Sequence, residues 1–427
     1  VARLPVAVIG AGPQGLAAAA HLLERDIEPV VLEAGMKPAA AVREWGHVRM
    51  FSAWDELVDA AAARLLAPTG WTAPQGGYPT GQQWIDAYLA PLAAALGERI
   101  HYGARVSGVS RRGRDRLVSA DRDGQPFVIH VMDRDGTESR FEVSAVIDAS
   151  GTWYQPNPVG ADGLPAIGER EAATAGVLSY APPTAVQAAA FAGKHVVIVG
   201  SGHSAMTAVI EVAAVAQRNQ GTRLTWVMRR GEVGNAFGGG AADALPQRGA
   251  LGQRAREAVD AGLVELATGF RTEGVRLVDD TAVLVAEDGR QLPAAEHVVA
   301  LTGFRPDLSF LTEMRLDLDP VLQAPVKLAP EIDPNVHSCG SVPPHGAQEL
   351  AHPETGLYLV GMKSYGRAPT FLAMTGYEQV RSVAAELAGD YDSARRVGLV
   401  LPETGVCSGG GLSADAELTL SGNASPQ

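Results

Sequence analysis

Cysteine is almost missing from this chain. Among 427 residues the only thiols are Cys339 and Cys407, far apart and without a CxxC pair. A disulfide framework, a zinc site and a thioredoxin-like dithiol therefore cannot be built locally, and a reducing cytoplasm is the expected setting. Basic residues are in the minority: 35 Lys and Arg stand against 48 Asp and Glu, a formal net charge of −13. Neutralising nucleic-acid phosphates needs clustered cations, so no nucleic-acid partner is expected. Long apolar runs are lacking as well. The Ala-rich stretches near Ala17 and Ala60 are broken by charge and fall short of the roughly 20 apolar residues a spanning helix needs, so no membrane partner is expected. The first apolar run, Val6 to Ile9, leaves no room for a secretory leader before it.

What is present is ample apolar material, 46% of the residues, in a chain long enough for two or three domains. One pattern occurs twice. Val6-Ala-Val-Ile-Gly10-Ala-Gly12-Pro-Gln-Gly15 returns as Val196-Val-Ile-Val-Gly200-Ser-Gly202-His-Ser-Ala205, with the glycines in register. Each copy reads as a buried parallel strand, a tight turn and an Ala/Leu-rich helix, followed by a second strand at Glu28 to Glu33 and Leu224 to Met228. Between the copies, Arg105 to Val143 alternates apolar and polar residues around Asp123-Gly124 and Asp135-Gly136, the pattern of an antiparallel meander. It leads into a strand at Ala145 to Ala149. Tyr154 to Pro183 reads as a connection into the second unit, which closes near Val298 to Leu301.

A glycine loop that follows an apolar strand, opens a helix and is followed by an acid at the end of the next strand is a dinucleotide site. Gly10 permits the sharp turn, Gly12 lets backbone N–H groups approach a pyrophosphate, and Gly15 lets helix pack on strand; Pro13 and Gln14 complete the loop. The helix N-terminus adds partial positive charge. Glu33 is placed to accept hydrogen bonds from a ribose. In the second loop, formed by Gly200, Ser201, Gly202, His203, Ser204 and Ala205, alanine takes the third glycine's place, and the next strand ends in Arg229 and Arg230. Guanidinium groups there suit a 2′-phosphate, so NADPH is expected in preference to NADH. His203 is equally readable as a purely structural loop residue. Two dinucleotide sites in one chain imply electron traffic, with FAD as the held acceptor and NADPH as the hydride donor.

These features resemble the two-dinucleotide-binding-domain flavoproteins, among them the class B flavin monooxygenases and arsenic-operon flavoproteins, over roughly Val6 to Gly389. Glu44-Trp45 with Val48-Arg49-Met50-Phe51-Ser52 resembles their segment along the flavin ring, and Tyr78-Pro79-Thr80-Gly81 their turn into a helix. Asp148-Ala-Ser-Gly151-Thr-Trp153 and Ala300-Leu-Thr-Gly303 resemble the strand ends at which the chain crosses between domains. Leu357 to Gly361, with a helix over Gly376 to Leu387, resembles the late flavin strand and helix. The resemblance places Trp45, Arg49, Val106, Gly151, Gly361 and Met362 at FAD. Two departures are plain: Met362 stands where an acid is common, and no FxGxxxHxxx segment precedes the second loop.

The expected fold is α/β, with two Rossmann-like domains. An FAD domain over 1–155 and 300–392 is interrupted by an NAD(P)H domain over 190–298, the active site lying between them, and 401–427 form a peripheral tail. The expected activity is NADPH-dependent oxygenation of a small-molecule substrate by dioxygen through a flavin C4a-hydroperoxide. An NADPH-dependent reductase serving a quinone, a metal or a carrier protein is the alternative, and a non-catalytic redox sensor a further one. No catalytic side chain is assigned. The spacing of His337, Cys339, His345 and His352 fits no zinc pattern, so no metal is expected. The loop from Ile332 to Pro353 reads either as part of a substrate pocket or as plain surface, and Gly231 to Gly252 either as a flap over NADPH or as a passive connection.

Overall fold

Val6-Ala-Val-Ile9 has no polar face, and the computed structural model buries all of it as strand β1 (Val6–Ile9). The structure describes residues 3–231, 237–238, 243, 245–334, 342–369 and 371–399. Two compact units divide the chain: the first takes Val1–Gln155, Arg305–Asp333 and Val342–Leu401, the second Pro156–Phe304. In chain order the first unit continues with helix α1 (Pro13–Leu23), β2 (Pro29–Glu33), β3 (Ile100–Tyr102), β4 (Arg105–Arg111), β5 (Phe127–Met132), β6 (Glu138–Val143) and β7 (Ala145–Asp148). The second contributes β8 (Leu178–Ser179), β9 (His195–Val199), α2 (His203–Arg218), β10 (Arg223–Val227), α3 (Pro246–Asp260), β11 (Glu265–Ala267), β12 (Thr272–Val278), β13 (Thr281–Ala286) and β14 (His297–Ala300). The return to the first unit brings β15 (Leu357–Leu359) and α4 (Ala373–Leu387).

Each unit is built on a five-stranded sheet, ordered β15-β7-β1-β2-β3 in the first and β11-β10-β9-β14-β8 in the second. All pairings in both sheets are parallel. β1 lies between β2 and β7, and β9 between β10 and β14, so each glycine loop leaves its sheet where the strand order reverses. That position is the switch point at which open α/β sheets bind ligands. Gly10 (φ +99°) is required by space as well as by φ: a β-carbon there would lie 2.9 Å from the Ala149 carbonyl oxygen. Proline at the first turn of α1 costs no hydrogen bond, and Ala17 to Ala20 are buried all round.

The meander forms as its alternation predicts, β4 and β6 each pairing antiparallel with β5 and an irregularity falling between Val106 and Gly108. Its fixation is electrostatic. Glu354, just before β15, accepts from Arg111 Nε at 2.8 Å and Arg122 Nη2 at 2.9 Å, all three side chains being buried. Burial alone would raise the Glu354 pKa, but hydrogen bonds from Arg122, Arg111 and the Arg315 amide bring it below the ordinary carboxylate value.

Two expectations need correction. Tyr154 to Pro183 is more than a connection: it supplies β8 to the second sheet and a helix at Glu169–Thr174. Buried Glu169 organises it by accepting from the Val159 and Ala166 amides and the Tyr180 hydroxyl. Gly231 to Gly252, read as a flap or as a passive connection, carries regular structure at its end. Pro246 opens the helix α3, and its Arg248 makes a buried pair with Asp243; 232–236, 239–242 and 244 lie outside the described residues. The tail over 401–427 also lies outside them. Among the described residues no helix is long and apolar enough to cross a membrane.

Candidate dinucleotide sites

In the first unit, α1 begins at Gly12 with no side chain capping it, so its first-turn N–H groups face outward. A β-carbon on Gly12 would meet nothing within 4 Å. At the end of β2, Glu33 is buried, its Oε2 accepting from the Ala11 amide and its Oε1 from the Gly35 amide, both at 2.7 Å. Each oxygen keeps a second lone pair for a ribose hydroxyl. Gln14 Nε2 donates to the Ala373 carbonyl at 3.0 Å, joining the first turns of α1 and α4. Its Oε1 is buried without a partner among the described residues. Gly15 is buried against β1.

The two segments singled out near the flavin ring meet each other. Arg49 bridges to Thr80, its guanidinium donates to the Tyr78 carbonyl at 2.5 Å, and the Met50 amide donates to Pro79. Thr80 caps the short helix Gly81–Trp84. Trp45 lies close enough on Gly81 that a β-carbon there would come 2.9 Å from its ring. Gly151 (φ +69°) follows β7 beside open space, while Gly361 (φ +68°) and Met362 follow β15. Val106 is half-buried on β4.

Sequence reasoning missed three arrangements here. Lys363 and Asp148, both fully buried, pair at 2.6 Å, and Ser150 Oγ receives from Lys363 Nζ at 3.0 Å while donating to Asp148 at 2.6 Å. Glu44 accepts from Trp153 Nε1 at 2.7 Å and Tyr154 OH at 2.8 Å. Burial and the Glu44 carboxylate raise the Tyr154 pKa, so the phenol remains a donor. The third arrangement centres on Gln379 and His345. That histidine binds the Pro343 carbonyl and Gln379, whereas His337 and Cys339 lie outside the described residues. No metal-ligating group occurs among the described residues.

In the second unit, Gly202 is the uncapped N-terminus of α2, exposed and with nothing within 4 Å of an added β-carbon, next to exposed Ser204 and half-buried Ser201. Ala205 is fully buried, doing with a methyl group what the third glycine does in the first loop. The carbonyl of Gly200 (φ +127°) is pinned by Trp226 Nε1 at 2.6 Å. His203 is half-buried; removal from water, with Arg248 acting the same way and Asp243 against it, pushes its pKa down to about 4. It therefore brings no positive charge to the loop at neutral pH. Beyond β10, Arg229 is exposed and donates to the Ala161 carbonyl at 3.2 Å, and Arg230 is half-buried.

An uncapped helix, an open glycine and a buried acid with lone pairs to spare fit FAD in the first unit. An uncapped helix with exposed loop residues and arginines at the next strand's end fits NAD(P)H in the second.

The sequence profile of the pyridine nucleotide-disulphide oxidoreductases matches residues 4–355. No curated protein matches the chain by sequence. Among solved structures, the bacillithiol disulfide reductase of Bacillus cereus is similar with a TM-score of 0.67 at 20% identity, over 91% of this chain and 100% of that one. A flavin-containing monooxygenase from Stenotrophomonas maltophilia gives 0.57 at 22% identity, over 92% and 100%. The FAD-bound cadaverine monooxygenase of desferrioxamine biosynthesis from Erwinia amylovora gives 0.62 at 13% identity, over 95% and 100%. At such identities the likeness is one of fold: two dinucleotide-binding domains, the NAD(P)H domain inserted into a discontinuous FAD domain. With the match over residues 4–355, the chain belongs to the pyridine nucleotide-disulphide oxidoreductase family and is an FAD- and NAD(P)H-dependent oxidoreductase.

Proposed function

We propose that this oxidoreductase is a monooxygenase that takes electrons from NADPH and inserts one atom of dioxygen into a small-molecule substrate. The observation that supports the reading is the lack of a dithiol: Cys339 and Cys407 stand far apart with no CxxC pair, and neither lies among the described residues. A dithiol-type disulfide reductase passes electrons onward through a pair of thiols, which this sequence does not place together. FAD, when bound, supplies hydride acceptance and dioxygen activation.

The chain's own residues bind and orient. Gly10, Gly12, Pro13, Gln14 and Gly15 receive the FAD pyrophosphate at the α1 N-terminus, and Glu33 receives a ribose. Trp45, Arg49, Val106, Gly151, Gly361 and Met362 complete the FAD surface. Gly200, Ser201, Gly202, His203, Ser204 and Ala205 receive the nicotinamide dinucleotide, and Arg229 and Arg230 the 2′-phosphate. Neutral His203 serves there as a hydrogen-bonding group rather than a cation. The stoichiometry is closed: NADPH gives two electrons and one proton, solvent gives a second proton, one oxygen atom enters the substrate and the other leaves as water.

The test is oxygen labelling with ¹⁸O₂, using methyl phenyl sulfide, a tertiary amine, arsenite and a cyclic ketone as probes. Label in a product, matched by NADPH consumed, is the expected result. NADPH oxidation that reduces a quinone without oxygen, and yields only hydrogen peroxide with it, would overturn the reading in favour of a reductase.

A further inference from the structure

Gly361, two residues beyond β15, is in the left-handed region (φ +68°) with Gln14 against one side of it. Both of its backbone polar atoms are held. The Gly361 amide donates to Gln379 Oε1 at 2.7 Å, and the Gly361 carbonyl accepts from Ser364 Oγ at 2.7 Å. Gln379 Nε2 donates to Ser364 Oγ at 2.9 Å and lies 2.8 Å from His345 Nε2. Gln379 and Ser364 are fully buried, and His345 is 4% exposed.

The donors and acceptors admit one arrangement. Gln379 Oε1 is committed to an N–H, so Nε2 can only donate, and His345 Nε2 must accept. The proton of the neutral ring then sits on Nδ1, which lies 3.1 Å from the Pro343 carbonyl, an acceptor that needs it. Burial lowers the His345 pKa and favours this neutral ring, while the bond to the Pro343 carbonyl and, less strongly, Glu349, Glu331 and Glu378 act in the opposite sense. The Tyr365 ring packs on it at 5.6 Å. A proton can still arrive. His345 lines a cavity of about 490 Å³ with the acids Glu349, Glu378 and Glu386, the bases Lys327, Arg395 and Arg396, and the Tyr358 phenol. An imidazolium would set N–H against N–H at Gln379 and release the Gly361 amide.

We propose that Gln379, oriented by neutral His345, is a positioning residue of the flavin site, fixing the Gly361 peptide and through it Met362. The proposal rests on the assignment of Gly361 and Met362 to FAD made above.

The experiment strips FAD from the holoenzyme and titrates it back into the apoprotein between pH 5 and 8, following flavin fluorescence and the visible spectrum. In the wild type, affinity should fall as pH falls. Gln379→Leu should weaken FAD about tenfold at pH 8 and shift the flavin spectrum. Gln379→Glu should reverse the pH trend, because a carboxylate facing His345 Nε2 needs the proton that the amide excludes; a merely structural glutamine would show no reversal. Wild-type affinity in Gln379→Leu, or the same pH trend in Gln379→Glu as in the wild type, overturns the proposal. If Gln379→Leu does not fold, the wild-type and Gln379→Glu profiles decide alone. Gly12→Val separates the two readings: if it leaves FAD affinity unchanged, the cofactor assignment itself has failed.

Discussion

Gln14 and Gly361 touch so closely that a β-carbon added to Gly361 would lie 2.9 Å from Gln14 Cγ. Gly376, in the first turn of α4, faces the amide end of the same side chain more tightly still. Gln14 thus fills a slot that exists because two other positions are glycine. Gly376→Ala should displace its amide and destabilise the protein by about 1–3 kcal/mol. Combining it with Gln14→Ala should recover most of that loss. Urea denaturation of the two single variants and the double variant checks it, and strict additivity would mean that the contact is unimportant.

In the proposed reading Arg229 and Arg230, beyond the end of β10, meet the 2′-phosphate that distinguishes NADPH from NADH. Changing both to alanine should raise KM for NADPH at least tenfold, about 1.4 kcal/mol, and leave NADH nearly unaffected. Steady-state kinetics with both nucleotides decides; equal effects would remove the arginines from the phosphate.

The fully buried Lys363–Asp148 pair gives a stability prediction of a different kind. Lys363→Met strands a buried carboxylate and should cost about 3–5 kcal/mol. Lys363→Met with Asp148→Leu should cost much less, since both desolvation penalties vanish together. Denaturation midpoints of the two variants should therefore differ widely, and coincident midpoints would refute the ion-pair account.

The glycine loops and their strands were legible because a short apolar run ending in glycines has few other uses, and the meander from Arg105 to Val143 because its period of two persists. Other features were hidden for physical reasons. The α3 helix contains Gly249 and Gly252, which read as loop, yet Gly252 is there because a β-carbon would overlap the Phe237 carbonyl oxygen. Glu169 reads as one acid in a linker until the Val159, Ala166 and Tyr180 donors close round it. Lys363 and Asp148, like Gln379 and His345, are ordinary polar residues whose meaning lies entirely in a partner distant in sequence. The pairing of Arg49 with Thr80 likewise depends on a tertiary contact, although each segment carries its own motif.

His352 gives a pH prediction. It is 9% exposed, its Nδ1 accepts from the Asp317 amide at 3.2 Å, and burial pushes its pKa down to about 4, with the Asp317 carboxylate acting against that. Above the unfolded value of about 6.5 the ring is neutral in both states and pH has no effect through it. As pH falls from there to about 4 the unfolded chain takes the proton first, so stability drops. The shift is worth about 1.4 kcal/mol per unit, a loss of about 3 kcal/mol in all. His352→Gln should lose less stability than the wild type between pH 7 and 4.5 in urea titrations; parallel losses would assign the acid sensitivity elsewhere.

Glu354 imposes a timetable on synthesis. Arg111 and Arg122 emerge from the ribosome early, but the carboxylate they share in the interior is not made until residues 156–304 have been translated. Until then the meander would bury both guanidinium groups without their shared carboxylate. The β1–β7 portion of the sheet must wait as a half-built domain while the inserted unit, whose parallel strands all lie within one continuous stretch, is free to fold first. A nascent chain released before Glu354 would lack the one carboxylate on which both guanidinium groups close.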